Sequence, residues 1–219
     1  MTLLDVIQQE ERKVLSDLVA TREEKLKNWQ KVIDKVKLLI KSGADVNMKD
    51  EDGYTALMLT HSTRTAQLLI EAGADLEACS DTGATALIMA SEQGDIDKVK
   101  LLIDAGADID AEDDDGENAL IQAYNAEIAK LLIEAGADVN AEGCAGETAL
   151  MRASSFGEIE MVKLLIEAGA DVNAEDNFGH NAIWCAKNLS KRSIKRYGVK
   201  PETYAEIIQL LKDAGAEEN

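Results

Sequence analysis

The stretch Met161-Val162-Lys163-Leu164-Leu165-Ile166-Glu167-Ala168-Gly169-Ala170-Asp171-Val172-Asn173-Ala174-Glu175 decides the fold. Val162, Leu165 and Ile166 recur at the three- and four-residue spacing of one helix face. Gly169 then stands where a helix commonly ends on a left-handed residue. The same ending returns along the chain: Gly-Ala-Asp begins at Gly43, Gly73, Gly106, Gly136 and Gly169, and Gly215-Ala216-Glu217 is a near copy. Successive separations are 30, 33, 30, 33 and 46 residues, so short and long repeats alternate and the period inside the array is 63. A duplicated block of two repeats accounts for that alternation, and a repeat of this length implies a stacked architecture.

Each repeat opens in the same way. A hydroxyl or amide residue, Thr55, Thr85, Asn118, Thr148 or Asn181, precedes the first apolar run and is placed to accept from free N–H groups of a first helical turn. Two residues earlier stands Gly53, Gly83, Gly116, Gly146 or Gly179, suited to a turn position of positive φ. A second helix follows, for example with Val99, Leu102 and Ile103 on one face. The short repeats lack three residues at the loop joining the two helices, where the long ones carry Gln93-Gly94-Asp95 and Phe156-Gly157-Glu158, which predicts shorter first helices. Helices this short are marginal alone, so stacking must supply the core. Ala56, Ala86, Ala119, Ala149 and Ala182 permit close approach of neighbouring helices.

The opening Asp50-x-x-Gly53-x-Thr55-x-Leu57, followed by a helix pair ending Lys-Leu-Leu-Ile-x-x-Gly-Ala-Asp-Val-Asn, resembles the ankyrin repeat. The resemblance is most complete over Ser80 to Glu112 and Gly143 to Glu175. It implies an all-α repeat solenoid of helix-turn-helix repeats joined by hairpin-like finger loops. We expect one domain of six repeats: 1–49 as N-terminal cap and first repeat, then 50–79, 80–112, 113–142 and 143–175, and 176–219 as a C-terminal capping repeat with an insertion. The family's Thr-Pro-Leu-His is replaced throughout, by Thr-Ala-Leu-Met, Thr-Ala-Leu-Ile, Asn-Ala-Leu-Ile and Asn-Ala-Ile-Trp, so its proline and histidine are missing.

The ends read as caps. Thr2 is placed to cap a helix from Leu3 to about Ala20, and Thr21-Arg22-Glu23-Glu24 has capping-box spacing before the next. Gln8-Gln9-Glu10-Glu11-Arg12-Lys13 interrupts the apolar stripe, which predicts that this part of the first helix projects into water. Lys187, Lys191, Arg192, Lys195, Arg196 and Lys200 form a basic island around the insertion Leu189 to Val199, and Pro201 suits the first turn of the last helix.

Charge narrows the function. With 23 Lys+Arg against 42 Asp+Glu the net charge is −19, which repels phosphate and anionic lipid. No apolar run spans a membrane and the start has no secretory pattern, so the expected place is the cytoplasm. His61 and His180 lie about four repeats apart, too far for a catalytic pair, and Cys79, Cys144 and Cys185 lack metal-ligand spacing. In a calcium loop with Gly116 at position six, Ala111 and Gln122 would fall at the outer ligand positions and offer no carboxylate. The expectation is no enzyme, no cofactor and no metal. Cys79 and Cys144 read as free surface thiols and Cys185 as core.

In ankyrin proteins the finger tips and first helices form a concave binding face. On this sequence that resemblance places Asp52, Tyr54, Asp81, Asp114, Asp115, Glu117, Glu147, Phe178 and His180 on the fingers, with Glu92, Gln93 and Phe156 on the helical part. Phe156 and Phe178 are the only phenylalanines in the chain, and both fall at positions the fold exposes. The implied function is a monomeric protein-binding module whose acidic face takes a basic protein. The alternative is an inhibitor, immunity or anti-defence protein that blocks a nucleic-acid-binding enzyme by presenting carboxylates in place of phosphates.

Overall fold

The computed structural model describes residues 2–16, 22–123, 125–188 and 200–217. Its elements are α1 (Leu3–Asp5), a π-helical segment (Val6–Glu11), α2 (Arg12–Ser16), α3 (Arg22–Lys41), α4 (Ala56–Leu59), α5 (Thr63–Glu71), α6 (Ala86–Gln93), α7 (Ile96–Asp104), α8 (Ala126–Glu134), α9 (Ala149–Phe156), α10 (Ile159–Glu167), α11 (182–188) and α12 (Pro201–Asp213). Among the described residues strand pairing is limited to isolated antiparallel bridges, Lys49 with Thr55, Glu112 with Asn118 and Glu142 with Thr148, each closing the base of a finger. The fold is an all-helical repeat solenoid.

The chain divides into two compact units, residues 1–90 with 95–108 and residues 91–94 with 109–219. In the N-terminal unit the second helices α3, α5 and α7 stack in order, and in the C-terminal unit α8, α10 and α12 do the same. Val36, Leu69 and Leu102 form the fully buried centre of the first stack, and Leu132, Leu165 and Leu211 that of the second. The small residues Ala56, Ala86, Ala119, Ala149 and Ala182 are all buried, as close approach of helices requires.

The capping reading holds residue by residue. Thr55, Thr85 and Thr148 accept through Oγ1 from the N–H of Met58, Ile88 and Met151, and Asn118 and Asn181 accept through Oδ1 from Ile121 and Trp184. A second set of polar bonds explains the Asp-Val-Asn ending. Asp138 and Asp171 accept from the N–H two residues on, and the following side chain reaches the next repeat: Asn140 Oδ1 accepts from Asp171 N–H at 2.7 Å and Asn173 Oδ1 from Glu217 N–H at 2.8 Å. Asn47 does the same for Asp75 in the N-terminal unit. These bonds fix the spacing of successive repeats where little apolar surface is available.

Losing three residues has the predicted effect and more. In repeat 50–79 the first helix, α4, is reduced to Ala56–Leu59, and in repeat 113–142 residues 119–122 make only a turn. Turns that short leave backbone groups without helical partners.

The N-terminal cap corrects the sequence reading. Thr2 does cap, with Asp5 completing a capping box, but the helix passes through the π-helical segment rather than running evenly from Leu3. The segment expected in water is only partly so: Gln9, Arg12 and Lys13 are exposed, but Glu11 is fully buried, Gln8 Nε2 donates to Asp50 Oδ2 at 2.8 Å, and Glu10 pairs with Lys35 at 2.6 Å. The physical reason is that Glu11 has polar groups of repeat 50–79 to satisfy. The proposed cap at Thr21 and the insertion Leu189 to Val199 lie outside the described residues. Pro201 opens α12 as expected.

Candidate functional site

A tight Asx or Ser turn shapes the fingers that start at Asp50, Ser80, Asp113 and Asp176. Asp113 Oδ1 accepts from the N–H of Asp115 and Glu117, Asp50 Oδ1 from Asp52 and Tyr54, and Asp176 Oδ1 from Phe178 and His180. Ser80 Oγ serves Thr82 in the same way. Neighbouring fingers are tied by backbone bonds, Asp81 N–H to Asp52 O in the N-terminal unit, and Cys144 N–H to Asp115 O and Asn177 N–H to Ala145 O in the C-terminal unit. Gly116 sits at φ +67°, and a Cβ there would come within 3.0 Å of Cys144 N, so both conformation and close approach demand glycine.

On this scaffold Asp52, Asp81, Asp114 and Asp115 are exposed at the tips, and Glu92 and Gln93 are exposed at the end of α6. Tyr54 is half-buried. Phe178 is 75% exposed, whereas Phe156 is 38% exposed with the Arg152 guanidinium over its ring at 5.9 Å. Other predicted contacts turn out to be engaged within the protein. Glu117 pairs with Arg152 at 3.3 Å and accepts from Gln122 Nε2. His180 stacks on Trp184 with centroids 3.4 Å apart and lies 3.1 Å from Asp176 Oδ2. It therefore builds the finger that carries Phe178, whose ring stacks on it at 6.0 Å.

Charge on the C-terminal unit is unevenly solvated. Burial pushes the Glu147 carboxyl above its usual range against the pull of Arg152, and Glu117 and Asp176 add to the upward push. Burial also raises Glu158, which Arg152 opposes. Asp176 stays below the carboxylate range, because N–H donors of His180 and Phe178 outweigh its burial. Cys185 is buried and pushed up to about 12 by burial, consistent with packing, while Cys79 and Cys144 are exposed free thiols.

A cleft of ≈ 620 Å³ opens in the C-terminal unit beside the shortened turn of repeat 113–142, between Glu92, Ile121, Ala123, Phe156, Glu158 and Met161. Arg152 forms one wall and is held there by Glu117 and by Gln122 Oε1 at 2.9 Å. Its size falls in the range of small-ligand or side-chain pockets. The sequence singles out Glu92 and Phe156, but nothing in their spacing shows that a three-residue deletion joins them around a cavity.

The corresponding place in repeat 50–79 is filled. Lys98, fully buried on α7, donates through Nζ to the carbonyls of Met58 and Thr60, both at 2.9 Å. Glu11 accepts from Thr60 Oγ1 at 2.9 Å and from His61 N–H at 3.0 Å. The carbonyls and the amide left over by the one-turn helix are thus satisfied by a cation and an anion from flanking repeats. Burial drives Lys98 down to about 8, opposed by the charges of Asp95 and Glu11, and burial drives Glu11 up. Lys98 carries no mark in the sequence analysis, and Glu11 stands there in the segment expected in water. The available signal was register: Glu11 continues the 4-7-11-14 spacing of Leu4, Ile7 and Val14, and Lys98 occupies the inward position that Met161 holds 63 residues later.

Among the described residues no group of three or more His, Cys, Asp or Glu is placed to hold a metal ion, and no helix is long and apolar enough to cross a membrane. No curated protein matches the chain. A solved ankyrin repeat domain from Acinetobacter baumannii AYE is 30% identical, with a TM-score of 0.72 over 86% of this chain and 95% of that one. The family model for ankyrin repeats, three copies long, matches residues 27–113 and 106–176. Together with the finger turns and stacked helix pairs, these matches show that the chain belongs to the ankyrin repeat family.

Proposed function

We propose that the protein is a non-catalytic, monomeric binding module of the cytoplasm that takes a basic protein against its acidic fingers. Ankyrin repeats generally mediate protein–protein interaction and are typically non-enzymatic. The observation that carries the finer reading is the pair Asp114 and Asp115. Both are exposed at a finger tip whose backbone is already fixed by Asp113, and among the described residues neither carboxylate has a cation within 4.0 Å. Carboxylates held rigidly in water steer an oppositely charged surface at little ordering cost. A net charge of −19 supports the same partner chemistry and opposes direct contact with nucleic acid.

The test starts from the partner captured from the native host and identified by mass spectrometry. Asp114→Asn with Asp115→Asn is expected to slow association severalfold at low ionic strength and to flatten its salt dependence, with little change in dissociation. An unchanged association rate at low salt rejects the acidic-finger reading. If the partner is a nuclease, its neutralisation by the wild-type protein separates inhibition by phosphate mimicry from plain docking.

Phe178 supplies the apolar contact in this reading. Truncating a ring that a partner buries typically costs about 2 kcal/mol, close to thirtyfold in affinity. Phe178→Ala is expected to speed dissociation by about that factor while the melting temperature stays within about two degrees, because 75% of the side chain is exposed. Unaltered dissociation would remove Phe178 from the interface.

A further inference from the structure

The two short repeats pose the same structural problem and meet it differently. In repeat 50–79 the ammonium of Lys98 binds the carbonyls of Met58 and Thr60, and α7 begins on Asp95, whose side chain caps Lys98 N–H. Sixty-three residues on, Ile121 and Ala123 replace Met58 and Thr60, Glu158 replaces Asp95, and Met161 replaces Lys98. The apolar Met161 brings no donor. Among the described residues no hydrogen bond reaches the carbonyls of Ile121 or Ala123, and both residues line the cleft. The turn itself tightens, with Ala123 N–H bonding three residues back to Leu120 O where Thr60 N–H bonds four back to Ala56 O. Glu158 makes no side-chain cap hydrogen bond and is a half-buried lining residue of the same cleft, which Glu92 also lines.

We propose that this cleft is the receptor for one lysine side chain of the basic protein partner. The ammonium occupies the place that Lys98 Nζ fills one block earlier, accepted by the carbonyls of Ile121 and Ala123 and by the Glu158 carboxylate, while the methylenes lie along Phe156 and Met161. Lysine fits better than arginine because three donors on a compact head can meet two carbonyls and a carboxylate that do not lie in one plane. Arg152 also lines the cleft and its charge acts on Glu158, but its guanidinium is held by Glu117 and Gln122, which leaves the carbonyls of Ile121 and Ala123 to the incoming ammonium. An acidic side chain would face Glu92 and Glu158 and is disfavoured. The inference rests on the reading of the protein as a binder of basic proteins and adds to it the pocket and the anchor.

The test needs no native partner. The probe is the pentapeptide acetyl-Ala-Ala-Lys-Ala-Ala-amide, with its Nε-acetyl-lysine twin as control, titrated into the isotopically labelled full chain and followed by amide chemical shifts. Saturable shifts centred on Ile121, Gln122, Ala123 and Glu158, at least tenfold weaker for the acetylated twin, are the expected result. No saturable response, or equal responses to both peptides, overturns the proposal. Met161→Lys supplies the occupant from within the chain. It is expected to keep or raise the melting temperature and to weaken the peptide response at least tenfold, whereas Met161→Leu retains it. If Met161→Lys unfolds the C-terminal unit, the cleft lacks the acceptors proposed, and the idea fails on that ground too. Asp114→Asn with Asp115→Asn should leave the peptide response intact. A salt-steered partner without any peptide response sinks the cleft alone, and a peptide response in a protein that binds no basic partner sinks the broader reading alone.

Discussion

Lys98→Met is expected to destabilise the N-terminal unit by about 3 kcal/mol or more, the range for breaking one side of a buried, hydrogen-bonded charge arrangement. Methionine fits the helix, since Met161 stands at the equivalent place, so the loss comes from polar groups rather than shape. Met58 O and Thr60 O lose the ammonium and Glu11 loses its neighbouring charge, all of them buried. Adding Glu11→Leu should restore part of the loss, because an apolar pair leaves no unpaired charge. Urea denaturation followed by circular dichroism measures both. A cost below about 1 kcal/mol for Lys98→Met would show that water enters and solvates these groups.

The same site carries a pH signature. Burial lowers Lys98 from 10.5 to about 8. Below pH 8 the native and unfolded chains both hold the proton, and the cost of burying the charge is fully present. Between about 8 and 10.5 the unfolded chain keeps a proton that the native one has shed, so the site's contribution to stability rises with pH. The stability gap between wild type and Lys98→Met should therefore widen from pH 7 to pH 10. A constant gap would place the native Lys98 near its ordinary value.

Deleting residues 201–219 is expected to cost the C-terminal unit about 5 kcal/mol, comparable to the whole stability of a small domain. Tyr204, Ile207 and Leu211 of α12 are buried, and α12 packs on α10. Their removal exposes the apolar side of α10, along with Asn173 and Asn181, which bond to the backbone of Gly215 and Glu217. A stacked array loses stability first where a neighbour is lost. Amide exchange should rise most in α10 and α11 and least in α3 and α5. Uniform protection after the truncation would mean that the repeats do not depend on their neighbours for a core.

The recurring Gly-Ala-Asp ending, the Thr and Asn caps and the alternating repeat lengths were enough to give the helix pairs, the finger turns and the family, because each depends on groups within a few residues of one another. Local hydrogen-bond chemistry is written in local sequence: Thr148 caps Met151, and Asp113 holds Asp115, whatever lies beyond. The acidic tips Asp114 and Asp115 were legible for the same reason. Tertiary structure decided what fills the space left by three missing residues. A deletion in repeat 50–79 is answered by Glu11 and Lys98, 49 and 38 residues away from Thr60, while the same deletion in repeat 113–142 leaves a cleft. Charge in the sequence reads as solvent-facing by default, and only packing reveals that Glu11 is fully buried against a threonine and an amide, or that Glu117 and His180 are spent on internal partners. Satisfying an orphaned backbone group needs a donor or acceptor from any part of the chain, and spacing along the sequence does not encode which part arrives.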